Sequence, residues 1–329
     1  MGRGAARISH MDIKLLHISS AGRSGSTLLG MALDSRPGFF YGGEIHSLWN
    51  DDRDQALCSC GEALMDCPVW KVAVPAALRA SGVRTADDMR AARDSSVQIA
   101  ALAKRRFNPD LRRLASEYCR MAGGLYQSLA ASTDARVIVD SSQHVAHSLL
   151  TAEIAGITPS IIHLVRDPRA VVYSWSRARQ WPTRAGSVTL QKGYLAAMRR
   201  WVMQNLKLMI CLRRSRIPRL LLRYEDFVDQ PGETLDAIMR LVGETPTAVA
   251  GGGRAAISVA DTHIIKANPL RFHHGDLSIR ADEQWRDALP PRIEKMITVM
   301  TYPLMRHFGY APAVRGGSAG HPRAPIAGG

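Results

Sequence analysis

The sequence predicts an α/β fold in which a parallel β-sheet is flanked by helices and carries an inserted helical cap. Short apolar runs of strand length alternate with helical stretches, and polar clusters directly follow several of these strands. Parallel strands need helical crossovers, and sheets of this kind bind ligands at the carboxyl ends of their strands. We therefore expect a single domain over residues 11–310, with the cap at about residues 51–132.

The predicted elements begin with an apolar strand at residues 13–18, which leads through a loop of small residues into a helix ending at Pro37-Gly38. A second short strand starts at Phe39 and ends in the glycine turn Gly42-Gly43. Ala- and Arg-rich helical sequence follows up to about residue 132. The Asn108-Pro109 step breaks this cap into at least two helices.

Alternating strands and helices resume after the cap. Strands are predicted at residues 136–139, 160–165 and 219–223, and helices at residues 144–155, 168–176, 190–212, 232–242 and 291–308. We expect residues 177–188 to be a basic, mobile segment and residues 246–260 to be a loose loop. The stretches 1–10 and 311–329 show no pattern and are expected to be disordered tails, with Met11 an equally plausible start.

The chain is strongly basic, with 43 Lys and Arg against 29 Asp and Glu and a net charge of +14. Such an excess indicates either nucleic acid or a small polyanion as partner. Aromatic residues make up only 6% of the chain and the arginines are scattered, so we expect a small polyanion and no nucleic acid. No apolar run approaches the ~20 residues of a membrane span, and no hydrophobic stretch follows the N-terminus, which predicts a cytoplasmic protein.

Three of the five cysteines are clustered as Cys58, Cys60 and Cys67. This spacing allows zinc, a disulfide or packed free thiols. Zinc requires four ligands, and a nearby fourth is missing unless His46 serves. Because packed free thiols are common in cytosolic proteins, we expect no bound metal at these cysteines.

The loop Gly22-Arg23-Ser24-Gly25-Ser26-Thr27 lies between the first predicted strand and helix. This is the layout of a P-loop, in which backbone N–H groups and a helix N-terminus bind phosphate. A nucleoside triphosphatase would have a Lys between Gly25 and Ser26, whereas the positive charge of this loop is the earlier Arg23. We expect the loop to bind a phosphate-like group without a magnesium-dependent triphosphate reaction.

A second phosphate-directed feature combines Arg166, at the end of a predicted strand, with Ser174 on the following helix. A guanidinium fork with a hydroxyl is suited to a phosphate monoester. Other strand ends carry Asp140-Ser141-Ser142 and Tyr224-Glu225. After the second of these come the carboxylates of Glu225 and Asp226, which are expected to anchor a neighbouring loop.

These motifs together resemble bacterial sulfotransferases that use 3′-phosphoadenosine 5′-phosphosulfate (PAPS). Residues 21–29 resemble the 5′-phosphosulfate loop of that family, and residues 163–171 with Ser174 resemble its 3′-phosphate motif. Residues 139–142, 223–226, 268–272 and 307–310, together with Trp285, also recur in bacterial members, so the resemblance covers about residues 13–310. It implies a P-loop-like sulfotransferase fold and transfer of a sulfuryl group to a hydroxyl or amine, with no metal required.

The resemblance also implies roles for individual residues. Arg23 is expected to contact the 5′-phosphosulfate and the bridging oxygen of the leaving group. The N–H groups from Ser24 to Thr27, with the Ser26 and Thr27 hydroxyls, are expected to hold the 5′-phosphate. Arg166 and Ser174 are expected to hold the 3′-phosphate, and Arg271 is the candidate for a second cation there.

A general base must remove the proton of the acceptor. Glu44 is our first candidate, His46 the second and His144 the third. Relatives often carry Lys directly after Asp-Ser-Ser, where this chain has Gln143. If that Lys assists transfer in relatives, its role here falls to Arg23 or is absent.

Three alternatives to a PAPS-dependent sulfotransferase remain open at this point. One is a P-loop nucleotide or small-molecule kinase, for which Asp140 could be offered as the magnesium ligand. The others are a nucleic-acid-binding protein and a non-catalytic nucleotide-binding protein. The acceptor is expected to be a small molecule, carbohydrate or lipid bound by the cap and by residues 177–188. The sequence indicates neither its identity nor the oligomeric state.

Overall fold

The structure is a computed structural model, and it describes residues 12–50, 56–81, 85–105, 107–246, 256–259 and 261–312. The predicted tails lie outside these residues, apart from residues 311 and 312. The first residues of the predicted cap, 51–55, also lie outside them, as does most of the predicted loop 246–260.

The described strands form one parallel sheet and two antiparallel pairs. They are Ile13–Ser20 (β1), Phe39–Gly43 (β2), Val137–Asp140 (β3), Ile157–Val165 (β4), Arg179–Thr183 (β5), Gly186–Leu190 (β6), Arg219–Arg223 (β7), Ala256–Val259 (β8) and Gly275–Ser278 (β9). The five-stranded parallel sheet has the order β2-β3-β1-β4-β7, and its central strand is β1. β1 pairs with β3 and β4, so that Leu16 lies beside both Val139 and Ser160. The antiparallel pairs are β5-β6 and β8-β9.

Helices cover both faces of the sheet, which is why its strands read as continuous apolar runs. Short 3-10 helices occur at Ile45–Trp49, Thr151–Glu153 and Pro269–Phe272. The α-helices are Ser26–Asp34 (α1), Trp70–Ser81 (α2), Ala86–Ser96 (α3), Ile99–Lys104 (α4), Pro109–Thr133 (α5), Val145–Leu150 (α6), Pro168–Ser176 (α7), Tyr194–Arg213 (α8), Tyr224–Asp229 (α9), Pro231–Leu241 (α10), Trp285–Ala288 (α11) and Pro291–His307 (α12). None of the described helices has the length and hydrophobicity needed to cross a bilayer.

The two faces of β1 contribute to separate cores because alternate side chains of a strand point in opposite directions. Ile13 and Leu15 pack with the cap, where Trp70 and Tyr126 are fully buried. Leu16 and Ile18 pack on the other face, with α1 and α10. The sheet is therefore buried on both sides, and the carboxyl ends of its strands remain available for a site.

The cap consists of α2 to α5, as the Ala- and Arg-rich sequence predicted. Asn108 begins α5 by accepting hydrogen bonds through its side-chain oxygen from the N–H groups of Asp110 and Leu111, at 3.0 and 3.2 Å. Pro109 occupies the first turn, where its missing N–H removes no helical hydrogen bond. The predicted break at Asn108-Pro109 is confirmed.

The structure corrects several predicted elements. The segment predicted as basic and mobile, residues 177–188, contains β5 and most of β6, joined by a two-residue turn. The predicted helix 144–155 ends as a 3-10 turn at Glu153, and β4 then begins at Ile157 rather than at residue 160. The predicted loop 246–260 contains β8, which pairs with β9.

Candidate active site

The carboxyl ends of the parallel strands surround a cavity of about 940 Å³. This volume lies in the range of small-molecule and cofactor sites. The cavity lies around β1, the strand at which the strand order reverses, as expected for ligand sites in open α/β sheets. Each sheet strand contributes to its wall a residue from the segment after its end: Gly22, Glu44, Ser142, Arg166 and Tyr224.

The loop after β1 turns sharply into α1. Gly22, Arg23 and Gly25 have positive φ angles of 75°, 60° and 93°. Gly25 is the residue before the helix, and no side chain caps that end. The first N–H groups of a helix lack intrahelical partners and carry partial positive charge. The start of α1 at Ser26 and Thr27, which line the cavity, is therefore suited to an anion.

Replacing Gly25 with alanine should destabilise the fold more than the same change at Gly275. Both residues have positive φ, 93° and 84°, and this costs alanine about 1–2 kcal/mol at either position. A Cβ at Gly25 would lie 2.3 Å from the Tyr224 ring, whereas one at Gly275 would meet open space. Such crowding adds about 1–3 kcal/mol, measurable by urea unfolding. Equal losses would mean that Tyr224 moves aside at no cost.

Arg23 lies between two indole rings. Its guanidinium carbon is 4.7 Å from the Trp175 ring centroid and 4.6 Å from that of Trp181. Both terminal nitrogens are buried, and no described residue accepts a hydrogen bond from them. Burial lowers the pKa of Arg23 to about 10 and nearby Arg179 adds to this, which leaves the group charged at neutral pH. The side chain therefore offers a held cation whose donors are available to an anion.

Arg166 follows β4 and reaches the same cavity as Ser174, which lies on α7. The guanidinium is 4.4 Å from the Tyr224 ring centroid. It donates to the Asp282 carbonyl at 2.7 Å and, more weakly, to the Arg23 carbonyl at 3.4 Å. Its Nε is buried with no acceptor among the described residues. The fork is thus held in place with at least one donor available for a ligand.

The turn that carries Arg166 is fixed by neighbouring carboxylates. Asp167 caps α7 by accepting from the Arg169 N–H at 2.8 Å, and its other oxygen pairs with the Arg169 guanidinium at 2.6 Å. Glu225 accepts from the Asp167 N–H at 3.1 Å and from the Tyr310 hydroxyl at 2.7 Å. Glu225 therefore has the loop-anchoring role that the sequence predicted.

Glu44 follows Gly43 at the end of β2. Gly43 has φ 83°, and a Cβ there would lie 2.0 Å from the Ile265 carbonyl oxygen, so only glycine allows the two chains to approach. The Glu44 N–H donates to the same carbonyl at 3.1 Å. The half-buried carboxylate lines the cavity, and burial raises its pKa to about 7 although Arg200 opposes this. A carboxyl group with that pKa is suited to accept a proton near neutral pH.

The two histidine candidates, His46 and His144, line the same cavity as Glu44. The His46 ring stacks on that of His144, with centroids 4.1 Å apart. Burial lowers the pKa of His46 well below 6.5 and that of His144 to about 4, so both rings are neutral at pH 7. The Nε2 atom of His46 is buried with no partner among the described residues. His46 is thus a weaker base than Glu44.

Arg271 is buried and lines the cavity. It donates to the Ala267 carbonyl, and its guanidinium is 4.3 Å from the Phe272 ring centroid. Burial lowers its pKa to about 10, while Glu44 and Tyr41 act in the opposite direction. Arg271 and Glu44 thus act on each other electrostatically, and Asp282 and Tyr224 contact Arg166.

Gln143, which stands where relatives often carry Lys, lines the cavity and donates to the Ser20 hydroxyl at 3.3 Å. Other residues of the cavity were not predicted from the sequence. Two other cations, Arg200 on α8 and Lys266, line the cavity and lie close enough to Glu44 to lower its pKa. Neither belongs to a recognisable motif. The β5-β6 hairpin contributes Trp181, which lies in the segment that was predicted to be basic and mobile.

Comparison with known protein families found a match. A sequence model described as the sulfotransferase family matches residues 16–247, which is more than half of the chain. No curated protein sequence matches the chain significantly.

Solved structures similar to the chain include two sulfotransferase domains and a retinol dehydratase. The domain from the Synechococcus PCC 7002 olefin synthase is 22% identical, with a TM-score of 0.49, over 94% of this chain and 99% of that one. The domain from the curacin biosynthetic pathway is 18% identical, with a TM-score of 0.48, over 92% of this chain and 99% of that one. A retinol dehydratase in complex with retinol and PAP is 13% identical, with a TM-score of 0.40, over 90% of this chain and 82% of that one. On the family match, which spans most of the strands and loops that build the cavity, the chain belongs to the sulfotransferase family.

Proposed function

We propose that this sulfotransferase takes a sulfuryl group from PAPS and transfers it to a hydroxyl or amine of a small-molecule, carbohydrate or lipid acceptor. The observation that carries the proposal is the convergence of three groups on one cavity. These groups are the P-loop with Arg23, the Arg166–Ser174 pair, and Glu44. The first two suit the two phosphate ends of the donor, and the third suits the proton of the acceptor.

In the proposed binding mode, the start of α1 at Ser26 and Thr27 holds the 5′-phosphate. The Thr27 hydroxyl also accepts from the Asn268 N–H at 3.1 Å, which fixes the loop against the Lys266–Arg271 segment. Arg23 lies at the leaving group, where its two unpartnered nitrogens stabilise the developing negative charge. Arg166 and Ser174 hold the 3′-phosphate.

In the proposed reaction the acceptor oxygen or nitrogen attacks sulfur, and the bond from sulfur to the bridging phosphate oxygen breaks. The acceptor proton passes to the Glu44 carboxylate. The products are the sulfated acceptor and 3′-phosphoadenosine 5′-phosphate (PAP). The sulfuryl group carries a single negative charge, so positioning and a few cationic donors suffice for its transfer.

The kinase alternative is less well supported. Asp140, the carboxylate offered for magnesium, is fully buried and does not line the cavity. It already accepts hydrogen bonds from the Tyr126 hydroxyl and from the Ser142 N–H, each at 2.7 Å. A ligand for a magnesium ion bound in the cavity would have to present free oxygen atoms to the cavity. The Asp140 carboxylate is buried outside the cavity lining and does not.

Replacing Arg166 with alanine should weaken the binding of PAP about 10- to 100-fold, the loss expected for a hydrogen bond to a charged group. The same variant should bind adenosine 5′-phosphate, which lacks the 3′-phosphate, as well as the wild type does. Isothermal titration of both proteins with both nucleotides gives the comparison. Equal losses for the two nucleotides would place Arg166 elsewhere in the site.

The acceptor side of the proposed site is bounded by the cap and the β5-β6 hairpin. The cap contributes polar groups such as Arg93 and Asp94, and the hairpin contributes apolar groups such as Trp181 and Val188. Sulfur-labelled PAPS incubated with fractionated cell extract should yield a labelled organic product, identified by mass spectrometry, with wild-type protein and not with Glu44→Gln. Labelling from γ-labelled ATP, with none from PAPS, would favour a kinase.

A further inference from the structure

A compact group of sulfur and nitrogen ligands lies where the cap meets the segment before Lys266. The Sγ atoms of Cys58, Cys60 and Cys67 and a ring nitrogen of His263 all lie within 4.8 Å of one another. Cys58 and Cys67 are buried, Cys60 and His263 are half-buried, and the three cysteines form no disulfide. The sequence predicted packed free thiols because it offered no nearby fourth ligand other than His46. The structure places His263 beside the three cysteines.

The distances fit a tetrahedral zinc ion. With Zn–S bonds of about 2.3 Å and a Zn–N bond of about 2.0–2.1 Å, a tetrahedron has S···S edges of about 3.8 Å and S···N edges of about 3.5 Å. The Nδ1 atom of His263 lies 3.3 Å from the Cys67 sulfur and 3.9 Å from the Cys58 sulfur. These values bracket the ideal S···N edge.

We propose that the chain binds one Zn²⁺ through the three thiolates of Cys58, Cys60 and Cys67 and the Nδ1 atom of His263. Four protein ligands complete a tetrahedron and leave no position for water or substrate, which is the arrangement of structural zinc sites. A set of three sulfurs and one imidazole also matches the ligand preference of zinc rather than that of magnesium or calcium. The ion is therefore structural, and it is separate from the metal-free sulfuryl transfer proposed above.

The backbone around the cysteines is organised for such a site. The Gly61 N–H donates to the Cys58 carbonyl at 3.0 Å, and the left-handed Gly61, with φ 88°, turns the chain back. Leu57 then pairs with Ala63 in an antiparallel bridge. The Cys67 N–H donates to the Ala63 carbonyl at 3.0 Å. Three sulfurs are thus presented by one tight turn and the helical turn that follows it.

The histidine is positioned through its backbone. The Trp70 indole donates to the His263 carbonyl at 2.9 Å. The neighbouring Ile264 accepts from the Ser59 N–H at 3.1 Å and donates to the Ser59 hydroxyl at 2.8 Å. The loop that carries the cysteines therefore pairs directly with the segment that carries the histidine. A zinc ion would join the same two segments covalently.

The position of the site predicts what the ion would stabilise. Ile265, two residues after His263, pairs with Gly43 and accepts the hydrogen bond from the Glu44 N–H. Lys266 and Arg271, which follow in the same segment, line the cavity. The ion would therefore tie the cap to the segment that positions Glu44 and the cations around it. Loss of the ion should loosen this wall of the cavity as well as the cap.

A second group of possible ligands does not carry the same inference. His17, Asp140 and His147 also lie close together, but all three are fully buried. Most of their polar atoms already have protein partners: the Nε2 atom of His17 contacts the Thr151 hydroxyl at 3.0 Å, and the Nδ1 atom of His147 contacts the Tyr118 hydroxyl at 2.6 Å. This group is a hydrogen-bonded part of the core.

The first test is the metal content of the full chain, purified without a polyhistidine tag. Elemental analysis should find one zinc ion per chain, held through gel filtration and released when the thiolates are titrated with a mercurial. Exchange with Co²⁺ should produce the sulfur-to-cobalt charge-transfer absorption and visible bands of a tetrahedral thiolate site. Folded protein without zinc after growth in zinc-supplemented medium, a disulfide among the three cysteines, or iron in place of zinc would each overturn the proposal.

Variants provide a second, independent readout. Cys60→Ser, which changes the half-buried ligand, should lower the zinc content well below one per chain and lower the melting temperature. Cys211→Ser, a half-buried cysteine on α8, is the matched control and should keep the full zinc content. Unchanged zinc in Cys60→Ser, Cys67→Ser and His263→Ala would place the ion elsewhere. If these variants do not fold, the metal content and cobalt spectrum of the wild type still decide. No step of the test depends on sulfotransferase activity.

Discussion

Replacing Arg23 with alanine should lower kcat about 10²–10³-fold, the effect of removing one preorganised donor from a developing oxyanion. The guanidinium is held between Trp175 and Trp181, and its terminal nitrogens have no described acceptor. The side chain therefore makes few hydrogen bonds that the fold would miss, and its donors are available where charge appears in the transition state. The measurement is kcat for PAP release with a saturating acceptor.

Two further variants separate the role of Arg23 from general effects of charge. Arg199→Ala removes an exposed cation on α8, next in sequence to Arg200, and should leave kcat unchanged. Arg23→Lys keeps a charge but loses the planar fork, and should recover only part of the rate. A normal kcat in Arg23→Ala, with only weaker PAP binding, would move Arg23 from the leaving group to ground-state binding.

Replacing Glu44 with glutamine should lower kcat about 10²–10⁴-fold, the range for loss of a general base, while PAP affinity stays close to that of the wild type. The glutamine keeps the size of the side chain and removes the proton acceptor. The measurements are kcat by PAP release and PAP affinity by calorimetry. Retained turnover in this variant, together with loss of turnover in His46→Ala, would move the base to His46.

The pH dependence tests the same assignment without a mutation. Burial raises the pKa of Glu44 to about 7 in the free protein. Because only the ionised carboxylate accepts a proton, kcat/KM should fall about tenfold per unit as pH decreases below 7 and level off above it. A profile that is flat through this range, with PAPS and acceptor ionisation unchanged, would contradict Glu44 as the base.

Stability should change with pH in the opposite sense. The folded state raises the pKa of Glu44 from 4.5 to about 7, so it binds the proton more tightly than the unfolded state does. The stabilisation this provides is present below pH 4.5 and is lost as pH rises through 7. Above that pH the wild type carries a partly buried charge that Glu44→Gln lacks. Urea unfolding at alkaline pH should therefore find the glutamine variant more stable.

The sheet and the phosphate side of the cavity could be predicted because their signals are local. β1, β3 and β7 are apolar runs bounded by polar strand ends, and the helix after Gly25 follows directly from a small-residue loop. Parallel topology then brings the strand ends to one edge of the sheet. Gly22, Glu44 and Arg166 consequently line one cavity although more than 100 residues separate the last two.

The β5-β6 hairpin could not be predicted from the same signals. Its second strand, Gly186–Leu190, is exposed throughout, so it lacks the alternation of apolar and polar residues that burial on one face imposes. Pro182 within β5 further argues against a strand, because proline is tolerated only at sheet edges. Both strands of a two-stranded ribbon are edge strands, so the ribbon tolerates this proline.

The complete ligand set of the cysteine cluster could not be predicted from the sequence for a different reason. Cys67 and His263 are separated by 196 residues, and no local spacing links them. Their contact depends on the pairing of the Ser59 backbone with Ile264, which in turn depends on Gly43 meeting Ile265 at the end of β2. Such a ligand set appears only once the tertiary fold is known. The same reasoning explains why Lys266 was missed.

The central claim is that the cavity recognises a 3′-phosphorylated adenine nucleotide and uses it in sulfuryl transfer. Isothermal titration of the wild-type protein with PAP, with adenosine 5′-phosphate and with ATP plus Mg²⁺ tests its recognition step most directly. We predict that PAP binds tightest, without added magnesium, and that removal of the 3′-phosphate costs at least about tenfold in affinity. Tighter binding of ATP with Mg²⁺, or equal affinity for the nucleotides with and without the 3′-phosphate, would contradict the claim.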